Sequence, residues 1–401
     1  MRWIYLVYPA LVLIMCFGAK FAGFRKSQWN EEFLSLKQTK AVQGFLAILI
    51  LMHHVSQKVS AEWIPQRVQK PGLEIFVEAG YLFVALFFFY SGYGLFKSYR
   101  TKENYFEGFF IKRVLPIIIV YYLSNCIFFI GRLIVGERPD GISTVLYILG
   151  LRLANSNSWY CITIIILYMV YALVFKALCK DKSGKKENAA ILLMVLVVVI
   201  YQLVCCMAGH GVFVFQGEWW FNSVQLFPVG LVVAKYEEKL IKNFKKYYYV
   251  YLPISMVLSV LASEIMMYAK NTFSYYGENN PNNTFMQVIE LRLICLVAQI
   301  IATLAVLWFV LLVTMKIEFG NKILGFMSKI TLEFYLIHAL FIEIFCYTFY
   351  GIKEVFYIRE PILFLLSVAI PSVPCALILK KLTQIIMKPI INNYRNKSKE
   401  A

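Results

Sequence analysis

The amino-acid sequence predicts an all-α integral membrane protein, a polytopic bundle of about 11 transmembrane helices. Hydrophobic residues make up 60% of the 401-residue chain and charged residues only 16%, whereas a soluble domain is about half apolar and a quarter charged. Apolar stretches of about 20 residues, the length that crosses a bilayer core as a helix, recur near 3–24, 41–57, 77–96, 114–135, 159–179, 189–208, 221–234, 248–268, 289–315, 330–349 and 361–379.

Basic residues alternate between the segments that connect these stretches. Of the 40 Lys and Arg residues, 28 fall in alternate segments that would share one side with the C-terminus, and 11 fall in the others. The positive-inside rule therefore predicts an N-terminus outside and a C-terminus inside. The net charge of +17 is interpreted as this topological signal, and no nucleic-acid partner is expected.

Composition predicts neither a disulfide framework nor a metal site. The nine cysteines are scattered and form no Cys-x-x-Cys pair. The first apolar stretch has only Arg2 before it and no clear small-residue cleavage site, so we expect a retained helix. Polar outer connections are predicted at 62–74, 136–158 and 271–285.

The segment Thr39–Gln57 is the most informative of the membrane-length stretches. It reads TKAVQGFLAILILMHHVSQ and carries two adjacent histidines, His53 and His54, well inside an apolar helix. Ionisable side chains within a bilayer cost free energy unless they are paired or solvated, so they indicate a functional site.

Six segments in order along the chain resemble the acyltransferase-3 family of membrane O-acyltransferases. In the first, Gln43-Gly44 opens an apolar run and His54 follows eleven residues after Gln43. The others are LFFFYSGYGL at Leu86–Leu95, FIKRVLPIIIVYY at Phe110–Tyr122, NSWYCITIIILY at Asn157–Tyr168, WWFNSVQLFPVG at Trp219–Gly230 and GFMSKITLEFYLIHAL at Gly325–Leu340.

The resemblance implies a ten-helix domain over 35–388, preceded by an extra helix and loop at 1–34 and followed by a basic tail at 389–401. It implies transfer of an acyl group, usually acetyl, from cytoplasmic acyl-CoA to a hydroxyl of a cell-surface carbohydrate or glycolipid. Acyl-CoA would be a co-substrate, with no permanently bound cofactor. A multi-pass protein of a bacterial plasma membrane is expected.

For the donor side, the resemblance implies a role for Lys40, Gln43, Ser91, Lys112 and Arg113, because Lys and Arg bind phosphates by charge-assisted hydrogen bonds. The chain departs from the family at Gln43, where the family has a basic residue. Lys40, one turn earlier, is a candidate substitute. A serine nucleophile at Ser91 is not expected, because Gly-x-Ser-x-Gly is absent.

For the reaction itself, His54 is the predicted general base that removes the proton of the acceptor hydroxyl. His53 lies about 100° around the helix from it, so helix–helix hydrogen bonding is its leading role and catalysis the alternative. The acceptor is assigned to Asn157, Trp159, Trp220, Asn222, Tyr335 and His338. For the tryptophans an interfacial belt is the alternative, and for His338 a structural hydrogen bond.

Two other functions are compatible with a helical bundle that carries histidines. A transporter or flippase would use them as a proton relay, although paired intramembrane charges and broken helices in inverted repeats are not evident. A sensor or racemase-like membrane module is the third possibility. Binding of acyl-CoA separates the transferase from both.

Overall fold

The computed structural model describes residues 3–64, 66, 69–134, 136–179, 184, 186–208, 215, 217–273, 282–346 and 358–400. These residues form fourteen α-helices, namely α1 (Val7–Cys16), α2 (Leu36–Val59), α3 (Glu74–Val77), α4 (Gly80–Thr101), α5 (Leu115–Ile134), α6 (Gly141–Ile148), α7 (Trp159–Leu178), α8 (Glu187–Ala208), α9 (Leu226–Lys235), α10 (Glu237–Phe273), α11 (Phe285–Thr314), α12 (Lys322–Met327), α13 (Thr331–Phe345) and α14 (Pro361–Glu400).

Short elements extend some of these helices. Two 3-10 turns, Trp3–Leu6 and Ser156–Ser158, lead into α1 and α7, and a π-helical turn at Phe110–Val114 leads into α5. A further 3-10 turn lies at Glu218–Trp220. The strands β1 (Lys20–Phe21) and β2 (Ile317–Glu318) pair antiparallel. The all-α prediction is therefore confirmed.

Seven of the described helical segments are long and apolar enough to cross a membrane. They are 80–101, 110–134, 156–178, 187–208, 237–273, 285–314 and 361–396. The helix α14 has 40 residues, or about 60 Å at 1.5 Å per residue, and thus continues through the predicted basic tail. The chain is a multi-pass membrane protein.

The other predicted spans are shorter or more polar than expected. The helix α1 ends at Cys16 rather than near residue 24, α9 has ten residues, and α13 has fifteen. The helix α2 is 24 residues long, but its lysines, glutamines and histidines lower its hydropathy. The total of eleven crossings and the outward N-terminus remain predictions.

The side chain of Lys316, which follows α11, links the end of that helix to the segment after α1, beside the small sheet. The ammonium of Lys316 donates to the backbone oxygens of Gly23, Arg25 and Gln28 at 2.6–3.0 Å and lies 3.9 Å from the ring centroid of Trp29. Only 4% of Lys316 is exposed, and this burial lowers the pKa of its ammonium. Carbonyl oxygens and an aromatic face compensate the buried charge.

Close backbone approach joins α4 to α9 and α2 to α12. A Cβ on Gly92 would collide with the carbonyl of Phe227, and one on Gly230 would collide with the carbonyl of Phe89. Likewise, a Cβ on Gly44 would collide with the carbonyl of Leu324. Small residues let membrane helices pack closely where hydrophobic driving force between them is weak. The Gly92 and Gly44 contacts thus fix α4 and α2 against their neighbours.

Replacing Gly92 by alanine should destabilise the α4–α9 contact, because the added methyl meets backbone rather than a flexible side chain. We expect a loss of about 1–3 kcal/mol, the usual cost of overpacking, seen as a lower melting temperature in detergent. Gly94→Ala is the matched control, since a Cβ there meets nothing within 4 Å. Equal melting temperatures for the two variants would contradict this packing.

Candidate active site

One face of α2 lines two neighbouring cavities. We name them the inner and outer cavities, after the predicted orientation. Most of the residues that α2 contributes recur every three or four positions, as one helix face requires; they are Lys40, Gln43, Ala47, Ile50, His54 and Gln57, and His53 lines the outer cavity beside His54. Since Lys40 and His54 are 14 positions apart, about 21 Å of helix lies between them.

The inner cavity has a volume of about 270 Å³ and is mainly apolar along its length. Its polar groups include Lys40, Gln43, Lys329 and Glu333, from the first half of α2 and the start of α13. The side chains that form the rest of its wall include Ala47, Ile50, Val84, Phe87, Ser91, Ile117, Tyr160, Ile164, Tyr168, Leu332 and Tyr335.

The outer cavity has a volume of about 210 Å³ and is lined by aromatic and hydrogen-bonding side chains. Carboxylates enter its wall at Glu78 and Glu218, and Glu78 pairs with Lys270. The other lining residues include His53, His54, Gln57, Tyr81, Asn157, Trp159, Trp219, Asn222 and Ser223. Stacking rings next to amides and carboxylates suit a polyhydroxylated ligand.

The two cavities meet at Val84 of α4 and Tyr335 of α13. Among the described residues, these two side chains belong to both walls. The Tyr335 ring centroid lies 6.2 Å from that of His54 and 5.9 Å from that of Tyr160. A molecule extending from the inner cavity toward His54 would therefore have to pass these two side chains.

A chain of hydrogen bonds fixes which nitrogen of His54 is free. The Phe334 carbonyl can only accept, so the His338 nitrogen Nδ1, 2.8 Å away, carries a proton. In a neutral His338, Nε2 then has a lone pair and accepts from Nδ1–H of His54 across 2.6 Å. A neutral His54 is left with its lone pair on Nε2, the nitrogen that a general base needs.

The segment before α7 places Asn157 beside this chain. Asn155 donates to the Leu336 carbonyl of α13 at 2.8 Å and accepts from the Asn157 backbone N–H at 3.0 Å. The amide nitrogen Nδ2 of Asn157 is placed 3.3 Å from Nδ1 of His54. Because a protonated Nδ1 cannot accept a hydrogen bond, the chain of bonds requires the amide to be turned over, so that its oxygen faces Nδ1.

His53 is held away from this chemistry. Its Nδ1 donates to the Phe76 carbonyl at 2.8 Å, so its lone pair is on Nε2. That edge of the ring packs against Gly80, where an added Cβ would collide with Cδ2 and Nε2 of His53. The geometry favours a structural role for His53, as hydrogen bonding to the segment that leads into α4.

The structure brings together most of the residues assigned from the sequence. Lys40, Gln43 and Ser91 line the inner cavity, while Asn157, Trp159 and Asn222 line the outer cavity with both histidines of α2. His338 is fully buried behind His54. It bonds to His54 and is not among the described lining residues of either cavity.

Three assigned residues are not among the described residues that line the two cavities. Trp220 is fully buried behind Trp159, with their ring centroids 6.2 Å apart, so neither tryptophan belongs to an interfacial belt. Lys112 is exposed, and its ammonium donates to the Glu107 carbonyl over the ring of Tyr394. Arg113 lies 3.5 Å from the hydroxyl of Ser98.

Other lining residues were not identified from the sequence. They include Gln57, Glu78, Tyr160, Lys329 and Glu333. Gln57 could have been found, because it follows His54 by three positions on the same helix face. The others come from α3, α7 and the start of α13, and only the tertiary structure places those elements beside α2.

Comparison with models of protein families gives a match over most of the chain. The family model Acyl_transf_3, described as an acyltransferase domain, matches residues 39–381. That range includes the six motif segments and all the lining residues of both cavities. No curated protein and no solved structure matches the chain.

The tautomer of His54 can be measured directly. Nitrogen-15 spectra of the histidine-labelled protein near neutral pH should show His54 protonated on Nδ1 and unprotonated on Nε2. His338→Leu removes the acceptor, so the two tautomers of His54 should then mix. Lys58→Ala, an exposed change on the same helix, should leave the spectrum unchanged. A wild-type His54 protonated on Nε2 would contradict the hydrogen-bond chain.

Proposed function

Because the chain belongs to the acyltransferase-3 family, we propose that this multi-pass membrane acyltransferase moves an acetyl group from cytoplasmic acetyl-CoA to an extracytoplasmic acceptor. The acceptor group is a hydroxyl of a cell-envelope carbohydrate or glycolipid, and the membrane is a bacterial plasma membrane. The observation that carries the proposal is the position of His54, which bonds to His338 through Nδ1 and lines a polar cavity that adjoins a second, apolar cavity.

In the proposed reaction, His54 acts first as a base and then as an acid. Its Nε2 takes the proton of the acceptor hydroxyl as that oxygen forms a bond to the thioester carbonyl carbon. The carbon–sulfur bond then breaks, and the proton passes from Nε2 to the departing sulfur, which leaves as the CoA thiol. His338 stabilises the imidazolium formed in between by accepting from Nδ1–H.

The inner cavity suits the donor. An apolar channel along α2 can take the extended pantetheine arm, and its cationic groups lie at the end away from His54. Lys40 and Lys329 line the cavity there together with the carboxylate of Glu333, and the Lys380 ammonium donates to the Lys329 carbonyl. Phosphates of CoA would bind at this end by charge-assisted hydrogen bonds.

The outer cavity suits a sugar. Trp159 and Trp219 offer aromatic faces, and Gln57, Asn157 and Asn222 offer amides. Sugar rings carry apolar C–H faces together with hydroxyls that donate and accept. Such a ligand would place one hydroxyl near Nε2 of His54.

Acetyl transfer by membranes containing the protein tests the reaction class. Label from acetyl-CoA should appear as alkali-labile ester on envelope carbohydrate. His54→Ala should lower the rate by about 10²–10⁴-fold, the usual contribution of a general base. Lys58→Ala, at an exposed position near the end of α2, is the control and should keep full activity. Intact transfer in the His54 variant would exclude this residue as the base.

The departure at Gln43 gives a second test. If Lys40 replaces the basic residue that the family has at that position, Lys40→Ala should raise KM for acetyl-CoA about tenfold, because one charged hydrogen bond is lost. The double variant Lys40→Ala with Gln43→Arg should recover the lower KM, since both side chains line the inner cavity. A KM that is unchanged in Lys40→Ala would show that this lysine does not bind the donor.

A further inference from the structure

The junction between the two cavities is built from side chains that do not move easily. Val84 lies on α4 and is 9% exposed, and Tyr335 lies on α13 and is 7% exposed. A valine in a helix has one strongly preferred rotamer. The Tyr335 ring contacts the rings of His54, Tyr160 and His338, which limits its rotation.

An acyl group has to pass this junction to react. In the proposed reaction the sulfur and pantetheine arm occupy the inner cavity, whereas the carbonyl carbon must lie close to Nε2 of His54. The acyl carbons are the part of the donor that enters the junction first. They then share the outer cavity of about 210 Å³ with the acceptor ring.

Added methylenes would therefore meet one of two obstacles. They would either press against Val84 and Tyr335 or displace the hydroxyl that must attack. The inner cavity offers no space for the added methylenes, because its apolar wall at Ile50, Phe87 and Leu332 surrounds the pantetheine arm on the other side of the carbonyl carbon. In a close-packed wall of this kind, a change in volume of a single methyl group already alters the packing.

We propose that Val84 and Tyr335 form a length selector that restricts the transferred group to short acyl chains, with Val84 as the specificity-determining residue. This inference rests on the proposed function. Val84 carries the selection because its side chain can change size without removing a polar group. Tyr335, by contrast, also packs against the catalytic histidine.

The test compares acetyl-, propionyl- and butyryl-CoA as donors in the transfer assay. Val84→Ala should raise the rate ratio of propionyl to acetyl transfer about tenfold, since one methylene in an apolar pocket changes specificity by about 10–200-fold. Val84→Ile should lower the same ratio, because it adds one methylene to the junction. General destabilisation of the protein would not raise the propionyl-to-acetyl ratio in Val84→Ala and lower it in Val84→Ile.

The control is Val198→Ala in α8. Val198 is 1% exposed and lies in neither cavity wall, so this variant removes the same atoms from a buried site and should leave the ratio unchanged. A ratio that stays the same in Val84→Ala and Val84→Ile, with acetyl transfer intact, would overturn the selector but keep the acetyltransferase. A wild-type protein that transfers no acyl group at all would overturn the proposed function instead.

Discussion

The hydrogen bond between Nδ1 of His54 and Nε2 of His338 is the interaction on which the rest of the site depends. It links α2 to α13, and its direction is set by the Phe334 carbonyl, which fixes the proton on the far nitrogen of His338. A lone histidine in an apolar helix could adopt either tautomer and several orientations. With this chain of hydrogen bonds, Nδ1 of His54 is bonded within the helix bundle, and Nε2 keeps the lone pair on a side chain that lines the outer cavity. Pre-organisation of this kind avoids reorientation during the reaction.

Close backbone contacts keep that geometry in place. Gly44 lets α2 approach α12, and Gly92 and Gly230 let α4 and α9 approach each other. The two helices that carry His54 and Val84 are thus seated against neighbours without intervening side chains. In a bilayer, where apolar side chains gain little by leaving lipid, packing and hydrogen bonds between helices have to supply this rigidity.

The two cavities differ in chemistry as a two-substrate reaction across a membrane requires. The inner cavity combines an apolar wall with Lys40 and Lys329, whereas the outer cavity combines tryptophans with amides and with carboxylates at Glu78 and Glu218. Since a single face of α2 lines both, the spacing along one helix sets the distance from the predicted phosphate contact at Lys40 to the proposed base at His54. In the proposed selector, Val84 and Tyr335 control what passes between them.

The sequence by itself determined the all-α membrane class and the family, and it indicated His54 as the candidate base, because hydropathy, motif order and an ionisable residue in an apolar helix are local properties of the chain. The spacing of Lys40, Gln43 and His54 also fits one face of α2, although Gln57 on that face was not assigned. The tertiary structure alone decided that His338 orients His54, that His53 is occupied by the Phe76 carbonyl, and that Trp220 lies behind the cavity. Those outcomes depend on contacts between residues far apart in the chain, such as the 284 positions between His54 and His338, which no local pattern specifies.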